Sequence, residues 1–184
     1  MLRNTTAAWG GIAKLFHWAM AALIFTQFAL GWMAASWRLS PAKLELFIWH
    51  KSIGMLILLL VTLRLLWRLV SATPILPAAT PAWERYAAHA SHIGLYIAML
   101  AMPITGWIIN SASKIPFRVF WWFPLPAIVA PDKAVAELAK QTHFLLFIAL
   151  AVLLVVHIAA AWRHHAIKRT DVLTRMLPHW RIMS

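Results

Sequence analysis

Residues 142–165 read THFLLFIALAVLLVVHIAAAWRHH, and from Gln141 to Trp162 there are 22 consecutive positions without Asp, Glu, Lys or Arg. A bilayer core of about 30 Å is crossed by roughly 20 apolar residues in a helix, so this segment is read as a membrane span. It nevertheless contains His143 and His157. With a rise of about 1.5 Å and a turn of about 100° per residue, the two lie ~21 Å apart along the axis and only ~40° apart around it. One stripe of the helix thus carries an imidazole near each membrane surface. A buried imidazole is costly without a partner. A hydrogen bond to a neighbouring helix would suffice for a single one, but two on one stripe direct attention to the other spans.

The chain has 184 residues, 62% of them hydrophobic, where soluble domains usually have about 45–50% apolar residues. Further charge-free runs cover 15–37 and 86–113, and a fourth apolar run, 44–70, is interrupted by Lys51 and Arg64, each near enough to an end to snorkel or face the bundle interior. The expected fold is all-α, a single membrane domain over 1–184 with helices at about 12–37, 43–70, 84–112 and 137–166. The first run is too long for a signal-peptide core and is expected to remain as a span. Zero cysteines exclude disulfides, iron–sulfur clusters, thiolate-bound zinc and covalent c-type haem.

Four spans put both termini on one side. That side receives ten of the 17 Lys and Arg residues, Arg181 among them, against Glu84 and Asp171; the opposite side receives seven, against Glu45, Asp132 and Glu137. The positive-inside rule then makes the termini cytoplasmic. Tryptophans fall at both ends of the spans, Trp180 at the termini end, as interfacial belts do. The basic excess is assigned to topology and membrane lipids, and no nucleic-acid partner is expected. A linker with Pro74, Pro77 and Pro81 separates spans two and three, and the proline- and aromatic-rich segment 114–131 is expected to lie on the outer interface. Pro103 is expected to bend span three.

Because the helices alternate in direction, His17 in span one comes level with His157, and His50 in span two with His143. The five Asp and Glu residues all lie in loops or at helix ends, so a di-iron carboxylate site has no ligands. Zinc requires more than two protein ligands. Two neutral imidazoles on facing helices suit the axial positions of a b-type haem. The same 14-residue step leads from His17 to Gly31, from His50 to Arg64 and from His92 to Gly106. Gly31 and Gly106 would let a macrocycle approach the backbone, or would simply tighten helix contacts. Arg64 would face the inner group, with a propionate or a quinone as partner. His89 and His92 rival His17 as inner ligand. His164 and His165 follow Arg163 and are expected in the headgroup layer, and His179 in the tail.

FHW around His17, WHKSIG around His50, SHIGLYIAMLAMPITGW after Ala90, the His143/His157 pair, HH at 164–165 and RTDVLTRMLP near the C-terminus occur in order through nearly the whole chain. Together they resemble bacterial cytochrome b561. The resemblance implies a four-helix inner-membrane bundle with two b haems, the outer ligated by His50 and His143 and the inner by His17 and His157, which favours His17 over His89 and His92. It also implies electron transfer. One branch oxidises periplasmic superoxide and reduces ubiquinone; others are haem-bearing anchors that pass electrons between a partner dehydrogenase or hydrogenase and quinone. On the first reading, Lys51 and Arg118 are the expected cations guiding superoxide to the outer site, although haem propionates or lipid phosphates would equally account for them. His92, His164 and Arg64 are expected on the quinone side.

Overall fold

The computed structural model describes residues 1–75, 77 and 80–177. His179, Trp180 and Arg181 lie outside the described residues. The chain forms the four-helix membrane bundle expected from its sequence: α1 (Gly11–Ser36), α2 (Pro41–Leu69), α3 (Ala82–Ala112) and α4 (Lys133–Ala166), each long and apolar enough to cross a bilayer. Local chemistry sets the ends. Ser40 accepts a hydrogen bond from the Lys43 backbone N–H, with Pro41 in the first turn of α2. Asp132 accepts from the N–H groups of Ala134 and Val135, so α4 starts at Lys133 rather than 137. Arg163, His164 and His165 occupy its last turn, where cations complement the free carbonyls. Helix α3 runs unbroken through Pro103.

Backbone packing follows chain order: α1 on α2, α2 on α3, α3 on α4. No Cα of α4 comes within 8 Å of one on α1 or α2, which leaves an open seam. Side chains bridge it. Phe28 of α1 meets Phe147 of α4 edge-to-face at 5.2 Å. The buried core consists of Met20 and Ile24, Ile53, Ile57 and Val61, Leu95, Ala98 and Met99, and Leu150. On every helix these positions fall between the two histidine levels, so the core is an apolar layer at mid-depth. Leu59, Ile97, Phe144, Leu145 and Val155 are exposed around the outside, as lipid-facing residues must be.

The segment 114–131, expected on the outer interface, is not helical. It holds a two-residue antiparallel ribbon, β1 (Arg118–Val119) with β2 (Phe123–Pro124). Phe120 and Trp121 between them have φ of 47° and 63°, unusual for bulky residues. Tertiary contacts hold this turn: the Phe120 N–H donates to Ser52 Oγ at 2.8 Å, and Trp49 stacks edge-on against both aromatic rings. Trp107 Nε1 donates to the Pro126 carbonyl, pinning the remainder of the segment over the helix ends. At the termini end, residues 167–177 fold back over α1. Lys14 and Trp18 donate to the carbonyls of Leu177 and Met176, and Arg175 to that of Ile75.

Candidate functional site

The open seam brings four histidines together as two pairs. His50 of α2 faces His143 of α4 with ring centroids 6.3 Å apart, and His17 of α1 faces His157 of α4 at 6.2 Å. Two imidazoles on opposite sides of one metal have a characteristic spacing. Two bonds of about 2.0 Å plus two centroid-to-nitrogen distances of about 1.1 Å give roughly 6.2 Å. Both pairs fit this spacing. Among the described residues no three His, Asp or Glu side chains form a shell for a bare ion. Each pair joins helices whose backbones do not touch, leaving width for a flat group.

At the loop end the His50/His143 pair lines a cavity of about 600 Å³, with Gly31 and Gly106 in its walls. A Cβ on Gly31 would lie 3.1 Å from His50 Cε1, and one on Gly106 3.5 Å from His143 Cε1. Glycine at position 31 therefore gives the His50 ring room, whereas a Cβ at position 106 would only touch the His143 ring. The Thr105 hydroxyl donates to the Met102 carbonyl at 2.8 Å and lies 2.9 Å from His143 Nδ1. With the hydroxyl proton on that carbonyl, Oγ1 can accept from Nδ1–H of His143, the tautomer that leaves the Nε2 lone pair free for a metal. His50 is held through its backbone, since Gln27 Nε2 donates to its carbonyl at 2.8 Å, while its buried Nδ1 has no hydrogen-bond partner among the described residues. Lys51 is half-buried and lines the cavity, donating to Asn110 Oδ1 at 2.8 Å. Arg118, in the ribbon, is exposed.

The termini end is more polar. Arg64 lies 3.5 Å from His17 Nδ1 and 3.9 Å from Met20 Sδ. Both Arg64 and Arg68 sit over the Tyr96 ring, at 5.6 and 5.7 Å. His92 joins from α3 with its ring 5.5 Å from that of His157, closer than a metal-bridged pair requires. His89 is exposed. His164, 15% exposed, is turned toward Glu84 at 3.5 Å, and the same carboxylate takes Arg163 at 2.9 Å and Lys168 at 2.6 Å. The structure thus gathers His17, His92, His157 and Arg64 at one level, with His164 in the neighbouring ion cluster. Reading the sequence had passed over Gln27, Asn110, Thr105, Tyr96 and Glu84 as parts of these sites. Gln27 and Asn110 did carry a signal, each being the only amide side chain in its charge-free run.

Residues 8–179 match the sequence profile of prokaryotic cytochrome b561. The chain belongs to the prokaryotic cytochrome b561 family. It is 39% identical over 181 residues to cytochrome b561 homolog 2 of Escherichia coli strain K12, covering 95% of this chain and 93% of the relative. Cytochrome b561 homolog 1 of the same organism is 30% identical over 129 residues, and a protein named probable superoxide oxidase CybB from Yersinia pestis 31% identical over 133. Each of these covers 70% of this chain and 73% of the relative. As a prokaryotic cytochrome b561, the chain is a multi-pass bacterial membrane protein of the haem b-binding, electron-transferring kind. The paired imidazoles, the open seam and the glycine clearances fit such a group.

Proposed function

We propose that this cytochrome b561 binds two b haems, one between His50 and His143 and one between His17 and His157, and carries electrons from superoxide on the periplasmic side to ubiquinone. The observation that carries the reading is the pair of histidine pairs, each at a metal-bridging separation and at opposite ends of one bundle. When bound, such a group supplies a one-electron redox centre. The protein's own residues supply the rest. Thr105 holds the His143 ring in the ligating tautomer, and the apolar layer around Met20, Val61 and Met99 keeps water from the space between the levels.

With both termini cytoplasmic, as the distribution of Lys and Arg favours, the exposed Arg118 makes the periplasmic end attractive to a small anion. Each superoxide gives up one electron and leaves as O2; two electrons and two protons convert a quinone to its quinol. At the cytoplasmic end Arg64 and His92 offer hydrogen bonds to quinone carbonyls. His164, against Glu84, stands on the side from which protons arrive. The superoxide step draws on the printed name of the Yersinia relative, and the periplasmic cations are consistent with it.

The test is stopped-flow mixing of the oxidised purified protein with superoxide, following the haem bands, with quinone added and a dismutase control. Rapid reduction abolished by dismutase, followed by quinol formation, is expected. Haems that dithionite reduces and superoxide does not would overturn the superoxide step. That result would instead favour an anchor that takes electrons from a partner dehydrogenase or hydrogenase.

A further inference from the structure

Two lysines line the cavity of the His50/His143 pair: Lys51 from α2 and Lys140 from α4. Neither has a buried counter-charge. Lys51 Nζ donates to Asn110 Oδ1 at 2.8 Å and lies 5.4 Å from the centre of the Phe117 ring. Among the described residues no Asp or Glu pairs with it. Among the described residues Lys140 pairs with Glu137, at 3.5 Å, with the two side chains 55% and 60% exposed, a kind of pair that holds little. An ammonium group has three donors and no acceptor. Asn110 takes one from Lys51, and an aromatic face attracts the charge without accepting a strong hydrogen bond. At least one donor therefore remains for something in the cavity. A half-buried cation facing an apolar space without an anion is unfavourable, and an anionic occupant would relieve it.

The position of these groups specifies that anion. Lys140 precedes His143 by three residues and Asn110 follows Gly106 by four, so each stands about one helical turn beyond the histidine level, toward the loop end. The amines thus form a second storey above the pair, near where the segment after α3 covers the helix ends. Asn110 ties Lys51 to that segment, accepting from Lys51 and donating through Nδ2 to the Ile115 carbonyl at 2.9 Å. A b-type haem carries two propionates on one edge of its ring. We propose that Lys51 and Lys140 hold the two propionates of the group bound by His50 and His143, fixing that edge toward the loop end. This rests on the ligand assignment proposed above. Lys51 is then a positioning residue, and the exposed Arg118 remains as the surface cation for an arriving anion.

The experiment compares the purified holoprotein with Lys51→Met, Lys51→Arg and Lys140→Met. Readouts are haem per chain, a redox titration resolving the two components, and the propionate bending bands in resonance Raman spectra. The loop-end component is identified as the one lost in His143→Ala. In Lys51→Met its midpoint potential should fall, because a nearby positive charge favours the reduced state, and its propionate band should shift. Lys51→Arg should restore most of both, Lys140→Met should give a smaller shift of the same sign, and the other component should not move. Unchanged potentials and propionate bands in Lys51→Met would overturn the proposal. If Lys51→Met loses the loop-end haem entirely, its return in Lys51→Arg supports an ionic anchor, and failure to return overturns it. If His143→Ala removes no haem component, the ligand assignment itself has failed, a result separate from the lysine outcomes.

Discussion

The two histidine levels occupy the same four helices one 14-residue step apart, yet they are furnished in opposite ways. The loop level reads Gly31, His50, Gly106, His143; the termini level reads His17, Arg64, His92, His157. Where the first has two glycines, at which an added Cβ would come within 3.1 and 3.5 Å of the rings, the second has His17 and His92. At the α2 position it carries Arg64, 3.5 Å from His17. The loop level is thus a roomy slot with two imidazoles, one fixed by a threonine and the other through its backbone. The termini level has two additional side chains able to bind a polar substrate. A shared geometric frame can therefore serve two purposes: a site that only passes electrons benefits from a dry, shaped slot, and a site that also handles protons needs hydrogen-bonding groups within reach.

The largest effect that would break this comparison comes from removing the ligands one level at a time. His143→Ala and His157→Ala should each reduce haem content to about half, and each should delete a different spectral component, since each level needs both imidazoles. Loss of both components in either variant, measured by pyridine haemochrome assay and low-temperature spectra, would mean that the levels are not independent sites.

A smaller effect should separate the two glycines. A Cβ on Gly31 at 3.1 Å forces the His50 ring to move, whereas 3.5 Å at Gly106 is ordinary contact. Gly31→Ala should therefore weaken retention of the loop-level haem by about 1–3 kcal/mol, the usual cost of overpacking, and Gly106→Ala by less. Equal haem retention in the two variants during detergent dilution would show that clearance at the rings is not what glycine provides.

The smallest effect tests the polar character of the termini level. His92→Ala should slow quinone reduction about tenfold, the worth of one hydrogen bond of roughly 1.4 kcal/mol, with haem reduction by superoxide left fast. Equal slowing of both steps would move His92 out of the quinone site and into general support of the bundle.

Much of this was legible in the chain itself. Runs without charge announce spans, because a bilayer imposes both length and apolarity. A 14-residue step on a regular helix fixes depth, so the levelling of His17 with His157 and of His50 with His143 could be expected before any coordinates, while the choice of His17 over His89 and His92 came from the family resemblance. Thr105 and Glu84 could not be singled out in the same way. Threonine is unremarkable in a membrane helix until a histidine from another helix lies 2.9 Å from its hydroxyl. Glu84 reads as an exposed first-turn acid until α4 brings Arg163 and Lys168 onto it. The ribbon at Arg118–Val119 was equally hidden, since Ser52 and Trp49 on a distant helix add to the turn's own backbone hydrogen bonds in holding Phe120 and Trp121 at positive φ.

The sequence by itself determined the number of spans, their alternating direction and the depth of each imidazole, because helix rise and bilayer thickness are properties of local geometry and solvent. Only the tertiary structure decided that α4 stands away from α1 and α2, that Gly31 and Gly106 lie against particular rings, and that Lys51 turns inward to Asn110. Those features depend on how four helices rotate about their axes and on the distances between them. These are set by side-chain packing across residues far apart in the chain, which the spacing within any one helix does not specify.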